Sequence, residues 1–282
     1  MSAADPLAAV PAEVVSRLGV SPAGVGRFGS SRVLLGNGLV LKVGPEDRAA
    51  REAFVLGDLR GLPLRVPRLL EAGEGWLLLE AVEVADRDGA SWRDATLADL
   101  ARLHESYAEK QVLHDPRLRS VTASELARLT EHCVALAGEL ELPAPLRVLI
   151  ADLEPLLVEL RDARTLVHGD AWPGNVLSAI DGGRCWIDWE EAGVGHPALD
   201  LATWLHGSPW VPPADDPERD LAAYLEARTD GVNEPRFRRA VDAAVVLLFL
   251  LLDLPGLAEW DSEARREIVE RRTATAERFT AP

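Results

Sequence analysis

Gly36-Asn37-Gly38 stands between two apolar runs, Arg32–Leu35 and Leu39–Val43. An Asn-Gly pair in that setting signals a tight primed turn, because the turn needs positive φ, which asparagine and glycine tolerate and branched residues do not. The segment is therefore expected to be an antiparallel hairpin, "RVLL", turn, "LVLKV". β-type residues reach back from it to Ser21, so the N-terminal part carries a small sheet.

After the hairpin the apolar period changes. In "PEDRAAREAFVLGDLRG", Ala49, Glu52, Ala53, Leu56 and Leu59 recur at helical spacing, with Pro45 near the start and Gly61 past the end. "WLLLEAVEV", Trp76 to Val84, is expected to be a short apolar strand running into polar residues. Beyond it the chain turns helical in "TLADLARLHESYAEK", "TASELARLTEHCVALAGELE" and "LRVLIADLEPLLVELRD". The pattern predicts an α+β fold: a small antiparallel-sheet lobe with one helix, then a larger, mainly helical lobe. The boundary falls near Glu80 to Asp86, which divides the chain into 1–82 and 83–282. Thr165 to Gly193 interrupts the helical part, with strands "NVLSAI" and "CWIDW" flanking Asp181-Gly182-Gly183.

Composition excludes several classes. With 48% apolar and 27% charged residues over 282 positions, the chain has ample material for a core and is not expected to be disordered. Its 46 acidic against 30 basic residues, a formal charge of −16, disfavour nucleic acid and anionic membrane and favour cationic partners. Cys133 and Cys185 lie far apart with no C-x-x-C pair, so neither a disulfide framework nor a zinc site is expected, and the chain is placed in a reducing cytoplasm. The start, "MSAADPLAAVPAEVV", lacks the basic and apolar regions of a signal peptide. "AAVVLLFLLL", Ala243 to Leu252, is half the length needed to cross a bilayer and is expected to be a buried helix.

Chemistry concentrates in "LVHGDAWPGNVL" and the strand after it. Asn175 at the start of one strand and Asp188 at the end of the next put two hard oxygen ligands on neighbouring strand ends, which suits Mg²⁺ with phosphate oxygens completing the shell. Asp170, on the preceding loop, is placed to accept a proton from an attacking hydroxyl, as in phosphoryl transfer. Taken alone, Asp-x-x-Pro-Gly-Asn equally suits a plain turn. Lys42 ends the strand "LVLK" and is one of two lysines, with Lys110, among 30 basic residues, so a compact charge is singled out there. Glu52, on the following helix, is within reach of pairing with it, and an exposed helix glutamate is the plainer reading. Gly29-Ser30-Ser31 offers N–H and hydroxyl donors to phosphate or is an ordinary hairpin tip.

Together, "VHGDAWPGN" and "IDWEEAGVGHPALDLA" resemble the paired signature of the aminoglycoside phosphotransferase and choline kinase-like superfamily, antibiotic phosphotransferase type, a branch of the protein kinase-like fold. Asp188, Gly195, Pro197, Asp200, Leu201 and Ala202 match its second part. "LARLH" (Leu100 to His104), "LLLEA" (Leu77 to Ala81), Lys42 and Glu52 extend the resemblance over most of residues 21 to 205. The resemblance implies a two-lobe kinase fold, with nucleotide in the first lobe and catalysis and substrate binding in the second. It also implies that Asp170 is the base, that Asn175 and Asp188 hold Mg²⁺, and that Lys42, supported by Glu52, contacts the phosphates of ATP or GTP. Leu79 to Ala81 would be the base-reading hinge, and Asp200 would brace the catalytic loop; from the residues themselves, Ser30 and Ser31 are expected to contact phosphate, and His168 to pack under the loop and hydrogen-bond its backbone. The short, serine-containing nucleotide loop departs from the family pattern, and the chain after residue 205 carries no matching motif.

The acceptors implied are antibiotics, choline and ethanolamine, homoserine and ketosamines. Acidic residues Glu190 and Glu191 beside the metal strand, and Asp215, Asp216, Asp253, Glu259 and Asp261 in the C-terminal part, favour a cationic, hydroxyl-bearing small molecule: an aminoglycoside, or a cyclic peptide antibiotic of the viomycin and capreomycin type. Trp204, Trp210 and Trp260 would stack on such a ring or belong to the core. A metabolic small-molecule kinase and a non-catalytic drug-binding protein on the same fold are the alternatives. A hydrolase with Asp170 and Asp188 as paired carboxylates leaves Lys42 unexplained. Neither nucleic acid nor membrane is expected as a partner, and the protein is expected as a monomer or a dimer.

Overall fold

A computed structural model describes residues 6–19, 26–28, 31–58, 61–86, 89–108, 110–120, 123–161, 164–207, 211–259 and 262–281. Gly29, Ser30, Leu59, Trp210, Trp260 and Asp261 lie outside the described residues. The strands are β1 Gly26–Phe28, β2 Ser31–Gly36, β3 Leu39–Val43, β4 Leu69–Gly73, β5 Trp76–Glu80, β6 Thr165–Val167, β7 Val176–Ser178, β8 Arg184–Trp186 and β9 Gly193–Gly195. The α-helices are α1 Ala12–Arg17, α2 Glu46–Ala53, α3 Gly89–Tyr107, α4 Ala123–Glu139, α5 Ala144–Ala151, α6 Glu154–Arg161, α7 Ala198–His206, α8 Pro217–Ala227, α9 Glu234–Leu248 and α10 Ser262–Thr280. The chain forms two compact units. The first comprises Met1–Trp92, His114–Arg119 and Pro173–Ala192, and the second Arg93–Leu113, Ser120–Trp172 and Gly193–Pro282.

In the first unit, β1 to β5 form an antiparallel sheet in the order β1-β2-β3-β5-β4. The expected hairpin joins β2 and β3: Gly36 pairs with Leu39, and Asn37 (φ 49°) and Gly38 (φ 70°) both take the left-handed backbone that a primed turn requires. Alternation along the strands divides their side chains between two faces. Leu41 and Val43 join Leu34, Trp76, Leu78 and the α1 residue Val14 in one apolar cluster. Leu77 and Leu79 pack with Ala49 of α2 on the other face, joined by Val40. Lys42, opposite Leu77 and two residues after Val40, therefore faces α2. Past Ala53 the α2 ladder loosens into a π turn, Phe54–Asp58. β5 stops at Glu80 rather than running to Val84, which makes only an isolated bridge to Ala179. Residues 173–192 contribute the β7–β8 hairpin and a 3₁₀ turn, Trp189–Glu191.

Among its described residues the second unit is mainly helical, with one two-stranded ribbon, β6 with β9. The stretch from Leu146 onward, expected to be helical, forms two helices, α5 and α6, because Asp152 takes an extended backbone (φ −142°, ψ 100°) and breaks the ladder. Leu146, Leu149, Ile150 and Leu156 from this pair pack with Val246, Phe249 and Leu250 in the core. Asp216 and Asn233 cap α8 and α9 by accepting N–H groups of the first turn, each helix carrying a proline at its start. The apolar run 243–252 belongs to a helical stretch longer than itself, Glu234–Leu257, because α9 passes through a π turn, Phe249–Asp253, into a 3₁₀ turn. Those 24 residues are long and apolar enough to cross a membrane, yet 67% of their most apolar window is buried within the protein, as in a core helix.

Candidate active site

The first unit gathers its charge around Lys42. Its ammonium pairs with Glu52 of α2 at 2.7 Å, with Glu190 at 2.8 Å, and with Asp188. Each partner is placed by the backbone. Glu52 lies on the buried face of α2. Asp188 follows β8 with φ +64°, a left-handed conformation tolerated by aspartate and often found at functional sites. That turn buries Trp189, whose N–H donates to Glu52 Oε1 at 3.3 Å and whose indole donates to the Trp186 carbonyl at 3.1 Å. Burying Trp189 between them sends Asp188 and Glu190 to the same lysine.

Burial works against the Lys42 ammonium, but Glu52, Asp188 and Glu190 outweigh it and raise its pKa above that of an ordinary lysine. Burial raises the pKa of Glu52, with Lys42 opposing and the two other carboxylates adding to the rise. Burial also opposes ionisation of Glu190, yet Lys42, Ser31 and Arg48 bring its pKa below the usual carboxylate value. Ser31 Oγ donates to Glu190 at 2.8 Å. Arginines surround the turn from outside: Arg48 pairs with Glu190 (3.0 Å) and Glu191 (2.9 Å), Arg119 pairs with Glu191 (2.5 Å), and Arg51 donates to the carbonyls of Glu190 and Arg117. Glu190 and Glu191, expected beside a substrate, are thus engaged within this unit. Sequence reasoning missed that Glu190 would join Lys42, although its position two residues past Asp188 was a usable signal.

Glu52, Asp188 and Glu190 bring carboxylate oxygens within 4.8 Å of one another. Asn175, 6% exposed, enters β7 where its carbonyl accepts the Ile187 N–H at 2.9 Å, so the hairpin sets it next to the Asp188 strand end. These donors are all hard oxygens, a set that fits Mg²⁺. Leu79 is buried in β5, and the Ala81 N–H donates to the Gly38 carbonyl at 2.9 Å. A cavity of about 380 Å³ borders this strand end, lined by residues that include Arg65, Arg68, Glu80, Glu83 and Asp181. None of the Lys42 cluster lines it.

The second unit holds Asp170 on the loop after β6. Gly169 takes φ +82°, and the buried Asp200 carboxylate of α7 accepts the N–H groups of His168 (2.8 Å) and Gly169 (2.9 Å). His168 is fully buried, and its Nδ1 accepts the Asp170 N–H at 3.4 Å. Asp170 itself is half-buried. His104 Nε2 lies 3.1 Å from Asp200; burial raises the pKa of this carboxylate, and His104, His168 and the backbone donors bring it below the usual value. Asp253 ends the π turn, buried 3.9 Å from Arg272, and burial pushes its pKa up to about 7. Trp204 is core, its indole donating to buried Asp220 at 3.0 Å.

Solved structures share this architecture at low identity. An ADP-bound aminoglycoside phosphotransferase aligns at 18% identity and TM-score 0.64, covering 96% of this chain and 99% of its own. A choline/ethanolamine kinase family protein from Mesorhizobium loti aligns at 18% and 0.58 (96% and 94%), and choline kinase LicA from Streptococcus pneumoniae at 19% and 0.58 (95% and 99%). No curated protein matches the sequence. The α+β, protein kinase-like fold follows from these likenesses. The profile of the phosphotransferase enzyme family matches residues 25–241, and with that match across most of its length the chain belongs to this family.

Proposed function

We propose that the protein transfers the γ-phosphoryl group of ATP or GTP to a hydroxyl of a small cationic molecule, an aminoglycoside or a cyclic peptide antibiotic of the viomycin and capreomycin type, and so protects against it. The observation that carries this reading is Lys42 on β3, held by Glu52 and by the Asp188 carboxylate after β8. Lys42 is a compact charge for the α- and β-phosphates, and Glu52 keeps it extended toward them. Ser31 adds a donor at the same edge, and Leu79 to Ala81 is the hinge for the base. Asn175 and Asp188 would hold Mg²⁺, which when bound neutralises charge on the phosphates.

Asp170 orients the acceptor hydroxyl and takes its proton as the new P–O bond forms and the bond to the β–γ bridging oxygen breaks. The Asp200 bonds to the preceding backbone fix the loop from which it acts. Because the transition state is loose, positioning and charge account for most of the acceleration. The formal charge of −16 supports a cationic acceptor. Solved structures of related phosphotransferases hold streptomycin with ATP, and gentamicin, which supports the antibiotic class. The likeness to choline kinases supports a second reading, a metabolic kinase for a quaternary or primary amine alcohol.

Incubating the protein with Mg²⁺, ATP or GTP and a panel of aminoglycosides, cyclic peptides, choline, ethanolamine, homoserine and ketosamines, then reading masses, separates the two. A phosphorylated antibiotic is the expected product. Phosphorylation of choline or another metabolite alone rejects the antibiotic reading.

A further inference from the structure

Asp200 ends a longer line of buried polar groups in the second unit. Arg228 Nη1, on the residue that closes α8, lies 2.6 Å from Tyr224 Oη. Tyr224 Oη lies 2.8 Å from His104 Nδ1, and His104 Nε2 lies 3.1 Å from Asp200 Oδ2. Tyr224, His104 and Asp200 are each at most 1% exposed, and the Arg228 side chain is 7% exposed.

Valence, with His104 neutral, fixes the direction of every bond in this line. A guanidinium only donates, so Tyr224 Oη accepts from Arg228. An ionised carboxylate only accepts, so His104 Nε2 carries the proton that reaches Asp200. Burial lowers the His104 pKa even against the pull of Asp200, and a neutral imidazole with a proton on Nε2 must accept at Nδ1. The proton shared between Nδ1 and Oη therefore belongs to Tyr224. The line runs one way, from Arg228 through Tyr224 and His104 to Asp200, and ends on the His168 and Gly169 N–H groups that Asp200 accepts.

Both ends are anchored. Arg228 pairs with Asp230 and, at 3.4 Å, with Glu105. Thr165, where β6 begins, donates its hydroxyl to the His104 carbonyl at 2.6 Å. Asp170 is the next residue after Gly169, whose left-handed backbone gives the loop its shape.

We propose that His104, Tyr224 and Arg228 are positioning residues that lock His104 in its Nε2–H tautomer, so that Asp200 holds the His168–Gly169 backbone and sets Asp170 for catalysis. The link to catalysis rests on the reading of Asp170 as the base. The rest does not: it concerns the tautomer and the loop alone.

The test uses the full chain with ¹⁵N-labelled histidine. The wild type is expected to show His104 protonated on Nε2 and bare on Nδ1; a proton on Nδ1 overturns the proposal. Tyr224→Phe is expected to speed amide exchange at His168 and Gly169 at least ~10-fold and to lower kcat ~10-fold, with the KM for nucleotide nearly unchanged. Unchanged exchange, or faster exchange with unchanged kcat, overturns it. Arg228→Met at the outer end should act in the same direction and serves if Tyr224→Phe does not fold, and Arg228→Gln, which keeps a donor, should restore the wild-type readings. A wild type inactive on every acceptor would reject the functional reading, while the tautomer and exchange results would still decide the relay.

Discussion

The two units treat buried charge in opposite ways. Around Lys42, one ammonium faces three carboxylates, and burial with its like-charged neighbours pushes the Glu52 pKa up. Around Asp200, one carboxylate faces only donors, and its pKa falls despite complete burial. The first arrangement has an excess of negative oxygen that a divalent cation would rebalance. The second is satisfied as it stands and has no need of a ligand. The lesson is that a cluster with unbalanced charge marks where something binds, and a balanced one marks what must not move.

The largest expected effect lies between these extremes, at Asp170, which the balanced cluster supports. Asp170→Asn keeps the size and should lower kcat by ~10²-fold or more with little change in nucleotide KM, measured by steady-state kinetics. Near-normal turnover would remove Asp170 from the mechanism. Lys42→Ala attacks the unbalanced cluster directly. Leaving Glu52 and Asp188 without their cation, and Glu190 with Arg48 but not Lys42, should cost about 3 kcal/mol of stability in denaturant unfolding, and added Mg²⁺ should raise Tm more in the variant than in the wild type. Equal Mg²⁺ responses would contradict the charge argument.

Glu190→Gln sharpens the comparison further. A member of the Lys42 cluster should shift the Mg²⁺ requirement or nucleotide KM by ~10-fold and spare the acceptor KM, whereas a substrate residue would do the reverse. The smallest effect is expected at Asp253, a carboxylate that neither cluster includes. Its folded pKa, about 7, lies above the ordinary aspartate value of 3.8, so its contribution to stability is fully present below the unfolded pKa and is lost as pH rises through about 7. Asp253→Asn should therefore stabilise the protein at pH 8 by ~1 kcal/mol or more and change little at pH ~3.5, by denaturant unfolding at both values. A variant less stable at pH 8 would mean that Arg272, 3.9 Å away, outweighs desolvation.

Much of this was legible in the sequence because it rests on local rules. The Asn-Gly turn fixes a register, alternation turns Lys42 toward α2, and a helix period brings Glu52 to the same face. The second cluster was only half legible. Asp200 and His168 stand in recognisable motifs, and "LARLH" includes His104, but nothing local links it to Tyr224, 120 residues later. Glu190 was assigned to a substrate because acidity alone says nothing of direction; the left-handed backbone at Asp188 and the burial of Trp189 turn it inward. The break between α5 and α6 carries no apolar signal, because the apolar spacing continues through Asp152 while the backbone does not.

The three separate stretches that build the first unit have a consequence for how the chain is made. When a ribosome has finished residue 92, Lys42 and Glu52 exist but Asp188 and Glu190 do not, and the unit still lacks 114–119 and 173–192. Its completion must wait for a long loop to close, the kind of distant pairing that slows folding and leaves edges exposed meanwhile. Residues 1–92 expressed alone would be an unfinished object, with half of its charge cluster still unwritten.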